Sequence, residues 1–393
     1  MRLFGGMVVA ISSLILVADL SLSQTLSSAD ADQIPRLTAE VLQLESGEMD
    51  EDAIRRLIQI DAELGYPVGE SVAPLQRQIL MLLAGTNEAA AMEHIRHVFE
   101  AQPERRSSAA AALARATTER PDDLQDWRYM VRSLTVVDGD DALAVMTALR
   151  RFQQRATRGV WVRQVILIGL KLPEEQRATA EQLLQHWTSK PRAGRRVTPW
   201  SLNEYQSWFA EEFPNEPPAV LPVDAPDRRW TTATVTQALE QQSTVSVDIA
   251  TGAAVYEKAG CQKCHRRGDI GQTFGPDLTS LGWRRTRQEI VQAILFPSHD
   301  LNEEYPSVTV VTKDGQTLSG LMSAGPEEML VLVTPQAERH QIARADVEEI
   351  VMRTVSNMPE GTLEPLSETE LQSLFAFLTS TAGVPQPHGD ALP

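Results

Sequence analysis

Apolar residues recur three and four positions apart through most of the first half of the chain, which is the spacing of amphipathic helices. The pattern is clearest in the segments EDAIRRLIQIDAEL, APLQRQILMLLAG, AAMEHIRHVFEAQ, DDALAVMTALRRF and ATAEQLLQHW. Turn residues interrupt it at Gly65-Tyr66-Pro67, Arg120-Pro121 and Val137-Asp138-Gly139. The hydrophobic periodicity therefore predicts a helical region from Arg36 to Lys190.

The helical segments recur in pairs at spacings of about 35–45 residues, which is typical of stacked helical repeats. This spacing predicts an α-solenoid of the HEAT type over residues 30–200. Stacked helices present long concave surfaces, so we expect this unit to dock a partner protein. His94 and His97 share one of its helices, but the sequence places no carboxylate or third histidine so as to complete a metal site with them. We therefore do not expect a metal site there.

Apolar and polar positions alternate between residues 307 and 350, which is the period of a β-strand with one buried face. SVTVVT and TLSGLM flank the sequence Lys313-Asp314-Gly315-Gln316, and Asp-Gly between such runs is a strong hairpin signal. MLVLVT and HQIARADVEEIVM add two more strand-like runs. Together they predict a small antiparallel barrel or sheet.

The first residues have the composition of a secretory signal peptide. Arg2 precedes the apolar run LFGGMVVAISSLILV, and small residues follow it. We expect cleavage near Ser23/Gln24, removal of residues 1–23, and export to the periplasm or an equivalent compartment. An uncleaved membrane anchor is the alternative, although Asp19 interrupts the run before it reaches the roughly 20 residues of a membrane span.

Residues 201–245 are predicted to connect the two halves of the chain. The sequence WSLNEYQSWFAEEFPNEPPAVLP is aromatic first and proline-rich afterwards, which favours a short docked helix followed by an extended linker. Trp208 and Phe209 are expected to be packing residues. The tail at 383–393 is rich in proline and is predicted to be disordered.

The formal net charge is −17 at pH 7. Binding to nucleic acid requires a basic face that neutralises phosphates, so the charge argues against a nucleic-acid partner. An anionic membrane surface is disfavoured for the same reason.

The only two cysteines in the chain lie in the sequence CQKCH, at Cys261 and Cys264, and His265 follows directly. A disulfide between them would close a very small loop, and a redox motif would be expected beside a βαβ pattern that is missing here. A structural zinc site needs four ligands, usually with a second cysteine or histidine pair. The spacing, the order of residues and the histidine together favour covalent attachment of one c-type haem, with His265 as an iron ligand.

A haem histidine needs an acceptor for its second ring nitrogen and usually a ligand on the opposite side of the iron. Pro276 lies in a turn that can hold a carbonyl toward the imidazole. Met358 lies in the stiff polar loop SNMPEG and is the predicted sixth ligand, which would favour electron transfer. His299 and His340 are the rival sixth ligands.

These motifs carry a resemblance to a known family. The run GAAVYEKAGCQKCHRRGDIGQTFGPDLTSLGWRRTRQEIVQAILFPSHDLNEEY, followed by VVTKDGQTLSGLM and SNMPEGTLEPLSETELQSLFAFL, resembles the haem-binding cytochrome c domain first described in planctomycetes and verrucomicrobia. The resemblance covers residues 246–382, and helical repeats precede this domain in related proteins. It implies a mainly α protein: a HEAT-like solenoid, then a helical domain like class I cytochrome c with the β module 307–350 inserted.

The resemblance also implies roles for individual residues. Cys261 and Cys264 become thioether sites, His265 and Met358 become the iron ligands, and Gly275, Pro276 and Asp277 form the turn beside the haem. In class I cytochromes the first and last helices cross at a glycine and an aromatic residue. The matching residues here are Gly252, Tyr256, Leu374 and Phe377.

Five arginines lie close to the attachment motif in sequence, namely Arg266, Arg267, Arg284, Arg285 and Arg287. They are expected either to hold haem propionates, to steer an acidic redox partner, or to form an ordinary solvated surface.

The expected function is one-electron transfer by an exported monohaem cytochrome whose helical scaffold docks a redox partner. The resemblance implies an exported dehydrogenase as the electron donor. The sequence shows no acid, base or nucleophile set apart from the haem, so an electron carrier is favoured over an enzyme. A peroxidase-type enzyme with an open sixth position and a haem-containing interaction or sensor module are the alternatives.

Overall fold

The computed structural model describes residues 33–65, 71–118, 120, 122–190, 199–241, 249–302, 304–323, 325–381 and 384. The predicted signal peptide at 1–23 lies outside the described residues, as does the predicted disordered tail apart from Val384. Within these ranges the chain is mainly helical, with fifteen α-helices and two small antiparallel sheets.

The first ten helices form one hydrophobic core that runs from Leu37 to Ala219. All five segments predicted from hydrophobic periodicity are helical. The ten helices are α1 Gln33–Ser46, α2 Glu51–Leu64, α3 Ala73–Thr86, α4 Ala89–Ala101, α5 Arg106–Ala116, α6 Leu124–Ser133, α7 Gly139–Leu149, α8 Gly159–Lys171, α9 Ala178–Thr188 and α10 Leu202–Glu212.

Alternate helices of this group pack side by side: α3 on α5, α5 on α7, and α7 on α9. The sequence RSSAAAALARA explains the central place of α5, because alanine side chains let neighbouring helices approach closely. Ala109, Ala110 and Ala112 have no exposed surface. The predicted short helix of the connector is α10, and it docks on α8 through Leu202 and Phe209.

A buried group of charges ties three parts of the helical region together. Nη2 of Arg105 donates to Oδ1 of Asp61 at 2.7 Å, and Oδ2 of Asp61 lies 2.9 Å from Nε2 of His94. Asp61 and Arg105 are each only 3% exposed. The expectation that no carboxylate accompanies His94 was wrong, because folding brings Asp61 of α2 against α4 across 33 residues of sequence. The group is an ion pair extended by a histidine.

The later helices form a second core that runs from Trp230 to Leu378. They are α11 Thr232–Glu240, α12 Ile249–Lys258, α13 Leu281–Arg284, α14 Arg287–Leu295 and α15 Glu368–Thr379, and a two-stranded ribbon, β1 Arg266–Arg267 with β2 Ile270–Gly271, lies between α12 and α13. The predicted extended linker is only partly correct. Its last part forms α11, which packs on α14 and α15 through Val235 and Leu239.

Helices α12 and α15 cross at Gly252. A Cβ on Gly252 would lie 2.3 Å from the carbonyl oxygen of Ser373 and 2.5 Å from Cβ of Phe377. The ring centroids of Tyr256 and Phe377 are 5.5 Å apart at the same crossing. The contact that the resemblance implied between these helices is present, and it depends on the missing side chain of glycine.

Replacing Gly252 with alanine should lower the free energy of unfolding by about 1–3 kcal/mol, the usual cost of overpacking. The helices must separate because the new methyl group meets backbone and not a flexible side chain. Urea unfolding followed by circular dichroism measures the change. Gly85→Ala in α3 is the control, since its Cβ would lie 3.4 Å from the flexible Arg115 side chain. Equal unfolding midpoints for both variants would contradict the prediction.

The second sheet has five antiparallel strands in the order β6-β5-β4-β3-β7 and is an open sheet. The predicted hairpin is confirmed, with Gly315 at φ 83° in its turn. The run HQIARADVEEIVM, predicted as one strand, is two, because a 3₁₀ turn at Arg344–Asp346 divides it. The strands are β3 Ser307–Thr312, β4 Thr317–Ser323, β5 Met329–Val333, β6 Arg339–Ala343 and β7 Val347–Met352. In the described part of the chain, no helix is long and apolar enough to cross a membrane.

Candidate haem attachment site

The two cysteines lie on one tight turn directly after α12. Gly260 has φ 78°, a conformation that favours glycine, and it ends the helix. A 3₁₀ turn at Cys261–Lys263 follows, and the backbone N–H of His265 donates to the carbonyl of Cys261 at 2.9 Å. Both cysteines are free and half-buried. The turn therefore places the two thiols and His265 on one short segment.

The imidazole of His265 is held in one tautomer. Its Nδ1 lies 2.9 Å from the carbonyl oxygen of Pro276, so Nδ1 carries the proton and donates a hydrogen bond to that oxygen. Nε2 is then left with a free lone pair, which is the form that ligates a metal. Burial lowers the pKa of His265, although the bond to Pro276 opposes this, and the ring is neutral at pH 7. The predicted hydrogen bond between the imidazole of His265 and the carbonyl of Pro276 is thus present in the structure.

The backbone of Gly275 lies directly against the imidazole. A Cβ at this position would be 2.7 Å from Cε1 and 2.9 Å from Nδ1 of His265. Two backbone hydrogen bonds join the turn that contains Gly275 to residues 261–267, the attachment segment. The N–H of Gly275 donates to the carbonyl of Cys264 at 2.8 Å, and the N–H of Leu278 donates to the carbonyl of Arg266 at 2.8 Å. Glycine therefore creates the space in which the ring lies.

Tyr256 has a role that the sequence analysis did not foresee. Its hydroxyl donates to the carbonyl oxygen of His265 at 2.8 Å, in addition to packing on Phe377. Burial raises the pKa of Tyr256, so the hydroxyl remains a neutral donor. Its position nine residues before His265 gave no signal, because α12 and the following turn must first fold back.

Replacing Tyr256 with phenylalanine should lower the free energy of unfolding by about 1 kcal/mol, because the His265 carbonyl loses a hydrogen bond. Urea unfolding measures the loss, and amide hydrogen exchange between Cys261 and His265 locates it. Tyr305→Phe serves as the matched control. A Tyr256 variant as stable as the control would show that the bond contributes nothing.

The environment of the thiols does not favour redox chemistry. Burial raises the pKa of Cys261 to about 11, and burial also raises the pKa of Cys264. Both groups are therefore protonated at pH 7, whereas a redox pair needs a thiolate with a lowered pKa. In the described residues, histidine, cysteine and carboxylate side chains form no group of three or more that could hold a metal ion. The four ligands of a structural zinc site are thus not brought together there.

Met358 is half-buried in the loop between β7 and α15. The amide Nδ2 of Asn357 donates to the carbonyl of Val333 at 3.0 Å, and the N–H of Ser356 donates to Oγ of Ser298 at 3.1 Å. These bonds hold the loop between the sheet and the segment after α14, and Leu363 packs in the same core as α12. No hydrogen bond in the described part of the chain joins Met358 to the attachment segment. Its role as a ligand stays a prediction.

The two rival histidines have protein partners. Nη2 of Arg163 donates to Nδ1 of His299 at 3.2 Å, and burial, with the nearby charges of Arg163 and Lys171, lowers the pKa of His299 to about 4. His340 lies on the edge strand β6, with Nε2 3.8 Å from Glu338.

Most of the five arginines near the motif are engaged by the protein itself. Arg266 pairs with Asp277, and Arg285 pairs with Glu289. Arg267 lies over the ring of Phe377, and Nη2 of Arg284 donates to the carbonyl of Asp277 at 2.5 Å. These arginines therefore shape the segment, and their contact with haem propionates or a partner stays a prediction.

Several apolar side chains that lie near the thiols in sequence are only partly buried. Between residues 261 and 284, only Gly275 is buried, although the segment contains several large apolar side chains. Three of them, Ile270, Leu278 and Leu281, pack against the second core and keep exposed surface. Ile294 and Leu295 of α14 are also partly buried against that core. Next to Met358, Oδ1 of Asn357 and Oγ1 of Thr362 are buried without a hydrogen-bond partner in the described residues. The two thiols, the His265 imidazole and these partly exposed apolar side chains are groups of the kind that hold a haem.

No protein-family model matches the chain, and no curated protein matches it.

Proposed function

We propose that the chain is a monohaem c-type cytochrome that transfers single electrons. The observation that carries the proposal is the arrangement of His265. Two thiols three positions apart are followed directly by an imidazole whose Nδ1 donates to Pro276 and whose Nε2 has no hydrogen-bond partner among the described residues. This is the preparation that an axial haem ligand requires.

Each residue has a defined task in this proposal. Cys261 and Cys264 would hold the cofactor through thioether bonds, and His265 would supply a nitrogen ligand to the iron. Pro276 and Gly275 keep the ring oriented, and Met358 would supply a sulfur ligand from the loop between β7 and α15. The haem, when bound, supplies a one-electron couple whose potential the sulfur ligand raises.

The wider features of the proposal come from the N-terminal signal pattern, from the spacing of the helix pairs and from the resemblance to the planctomycete-type haem domain. They are a class I cytochrome c fold for the second core, a HEAT-like solenoid for α1–α9, and export to the periplasm. The side-by-side packing of α3, α5, α7 and α9 supports a solenoid. A redox partner protein, such as an exported dehydrogenase, would dock on this scaffold and deliver electrons.

The test is the visible spectrum of the protein produced together with a periplasmic haem-maturation system. We expect a low-spin haem that remains on the chain after denaturation. Met358→Ala should remove the methionine–iron charge-transfer band. Met352→Ala is the matched control, because Met352 is 59% exposed on the edge strand β7.

Three outcomes separate the candidate functions. A covalent low-spin haem that loses its methionine band only in Met358→Ala establishes the electron carrier. A high-spin spectrum unchanged by that substitution refutes Met358 ligation and moves the assignment to peroxide or ligand-binding chemistry. A chain that leaves maturation without covalent haem refutes the proposal.

A further inference from the structure

A turn of the helical region contacts the residues around α13, and a separate contact joins Arg163 of α8 to His299. The 3₁₀ turn Pro103–Arg105 and the first residue of α5, Arg106, supply three consecutive charged side chains. Arg105 points into the helical core and pairs with Asp61. On either side of it, Oε1 of Glu104 accepts from the backbone N–H of Arg287 at 2.6 Å, and Nη1 of Arg106 donates to the carbonyl of Arg284 at 2.6 Å.

Arg106 is an unusual residue for a buried contact. It is 7% exposed, and burial lowers its pKa. Among the described residues, no carboxylate forms an ion pair with it, and its Nη2 is buried without a hydrogen-bond partner. Its remaining bond runs from Nε to the carbonyl of Phe99 at 3.0 Å. A buried cation without a counter-ion is costly, so its contact with Arg284 is not explained by stability alone.

That contact leads to the turn beside His265. Arg106 holds the carbonyl of Arg284, and the guanidinium of Arg284 donates to the carbonyl of Asp277. Asp277 follows Pro276, whose carbonyl accepts from Nδ1 of His265. Three hydrogen bonds, joined by the covalent bonds within Arg284 and between Pro276 and Asp277, therefore link the helical region to the imidazole. The path joins residues 178 positions apart in the sequence.

We infer that Arg106 is a positioning residue, through which the helical region holds the Gly275–Thr279 turn rigid against His265. The helical region then has a task at the redox site besides docking a partner. The rigidity of the turn does not require haem, whereas its effect on a redox potential rests on the proposed function.

The test compares Arg106→Met with Arg132→Met. Both arginines lie over the ring of Phe99, with guanidinium carbons 5.9 Å and 5.5 Å from its centroid, so each substitution removes one positive charge from the same place. Arg132 pairs with Glu100 in the helical region, which makes its substitution the matched control. Amide hydrogen exchange is measured for residues 275–279 in the full chain, with and without haem.

We expect Arg106→Met to speed exchange in the turn by about fivefold or more, the lower range of coupling between sites. Arg132→Met should leave the turn unchanged. In the haem-loaded protein, the midpoint potential should shift in Arg106→Met and not in the control. Arg284→Met removes the next link of the path and should speed exchange of the same amides, which keeps the test valid if Arg106→Met does not fold.

Unchanged exchange in the turn, or a uniform increase that includes α2 to α5, would overturn the inference. If the wild-type chain carries no haem, the proposed function fails, but the exchange of the haem-free protein still decides the role of Arg106. If haem is present and neither the turn nor the potential responds, the inference alone fails.

Discussion

Gly275→Ala should prevent formation of a low-spin haem protein. The added methyl group would lie 2.7 Å from Cε1 of His265, so the imidazole must leave its place. Moving the ring breaks the 2.9 Å bond from Nδ1 to Pro276, and with it the orientation of Nε2. We expect at least a tenfold lower yield of low-spin haem. A factor of ten corresponds to about 1.4 kcal/mol in the free energy of placing the imidazole at the iron. The yield is measured from the visible spectrum per mole of chain.

Gly47→Ala provides the control, because its Cβ would make ordinary contacts, the nearest at 3.6 Å. This control should give the wild-type spectrum. A Gly275 variant that forms a normal low-spin haem would show that the imidazole does not occupy the described position when haem is bound.

Asp61→Asn should lower the free energy of unfolding by about 3–5 kcal/mol, the cost of leaving a buried charge without its partner. Arg105 is 3% exposed and donates two of its hydrogen bonds to the Asp61 carboxylate. Asparagine leaves the guanidinium buried and uncompensated. Urea unfolding at pH 7 measures the loss. Asp52→Asn is the control, since Asp52 is 84% exposed beside Arg55 and should change stability by less than about 1 kcal/mol.

The same variant has a predicted pH dependence. Burial raises the pKa of Asp61, but the hydrogen bonds from His94 and Arg105 outweigh it and hold the pKa below its usual value. A carboxyl whose folded pKa is lowered contributes stability above its unfolded pKa, about 3.9, and loses that contribution as the pH falls through the folded pKa. The stability difference between wild type and Asp61→Asn should therefore be constant near pH 7 and shrink below about pH 4. A difference that stays unchanged well below pH 4 would contradict the described ion pair.

Local patterns were sufficient for the elements of the fold. Spacings of three and four predicted the five helices α2, α3, α4, α7 and α9, and Asp314-Gly315 predicted the β3–β4 hairpin. The division of HQIARADVEEIVM into β6 and β7 was missed, because a turn of three residues leaves the alternation of apolar positions almost unbroken. Helix α11 was missed because TATVTQALE is short and follows a proline-rich stretch, and its contacts with α14 and α15 decide its conformation.

The candidate site divides in the same way. The order Cys-x-x-Cys-His and the turn at Pro276 are local, so the sequence alone pointed to His265 and to the acceptor of its ring nitrogen. The hydroxyl of Tyr256 gave no sequence signal, because its bond to His265 depends on how the chain folds back after α12.

By itself, the sequence determined the helical and strand periods, the attachment motif and its neighbouring turn, since each depends on residues a few positions apart. Only the tertiary structure decided that Asp61 meets His94, that Gly275 lies against an imidazole, and that Arg106 reaches Arg284. These contacts join segments 10 to 178 residues apart. Packing and the hydrogen bonding of buried polar groups decide which residues meet in these contacts. Both depend on residues far apart in the sequence, so the local pattern does not predict them.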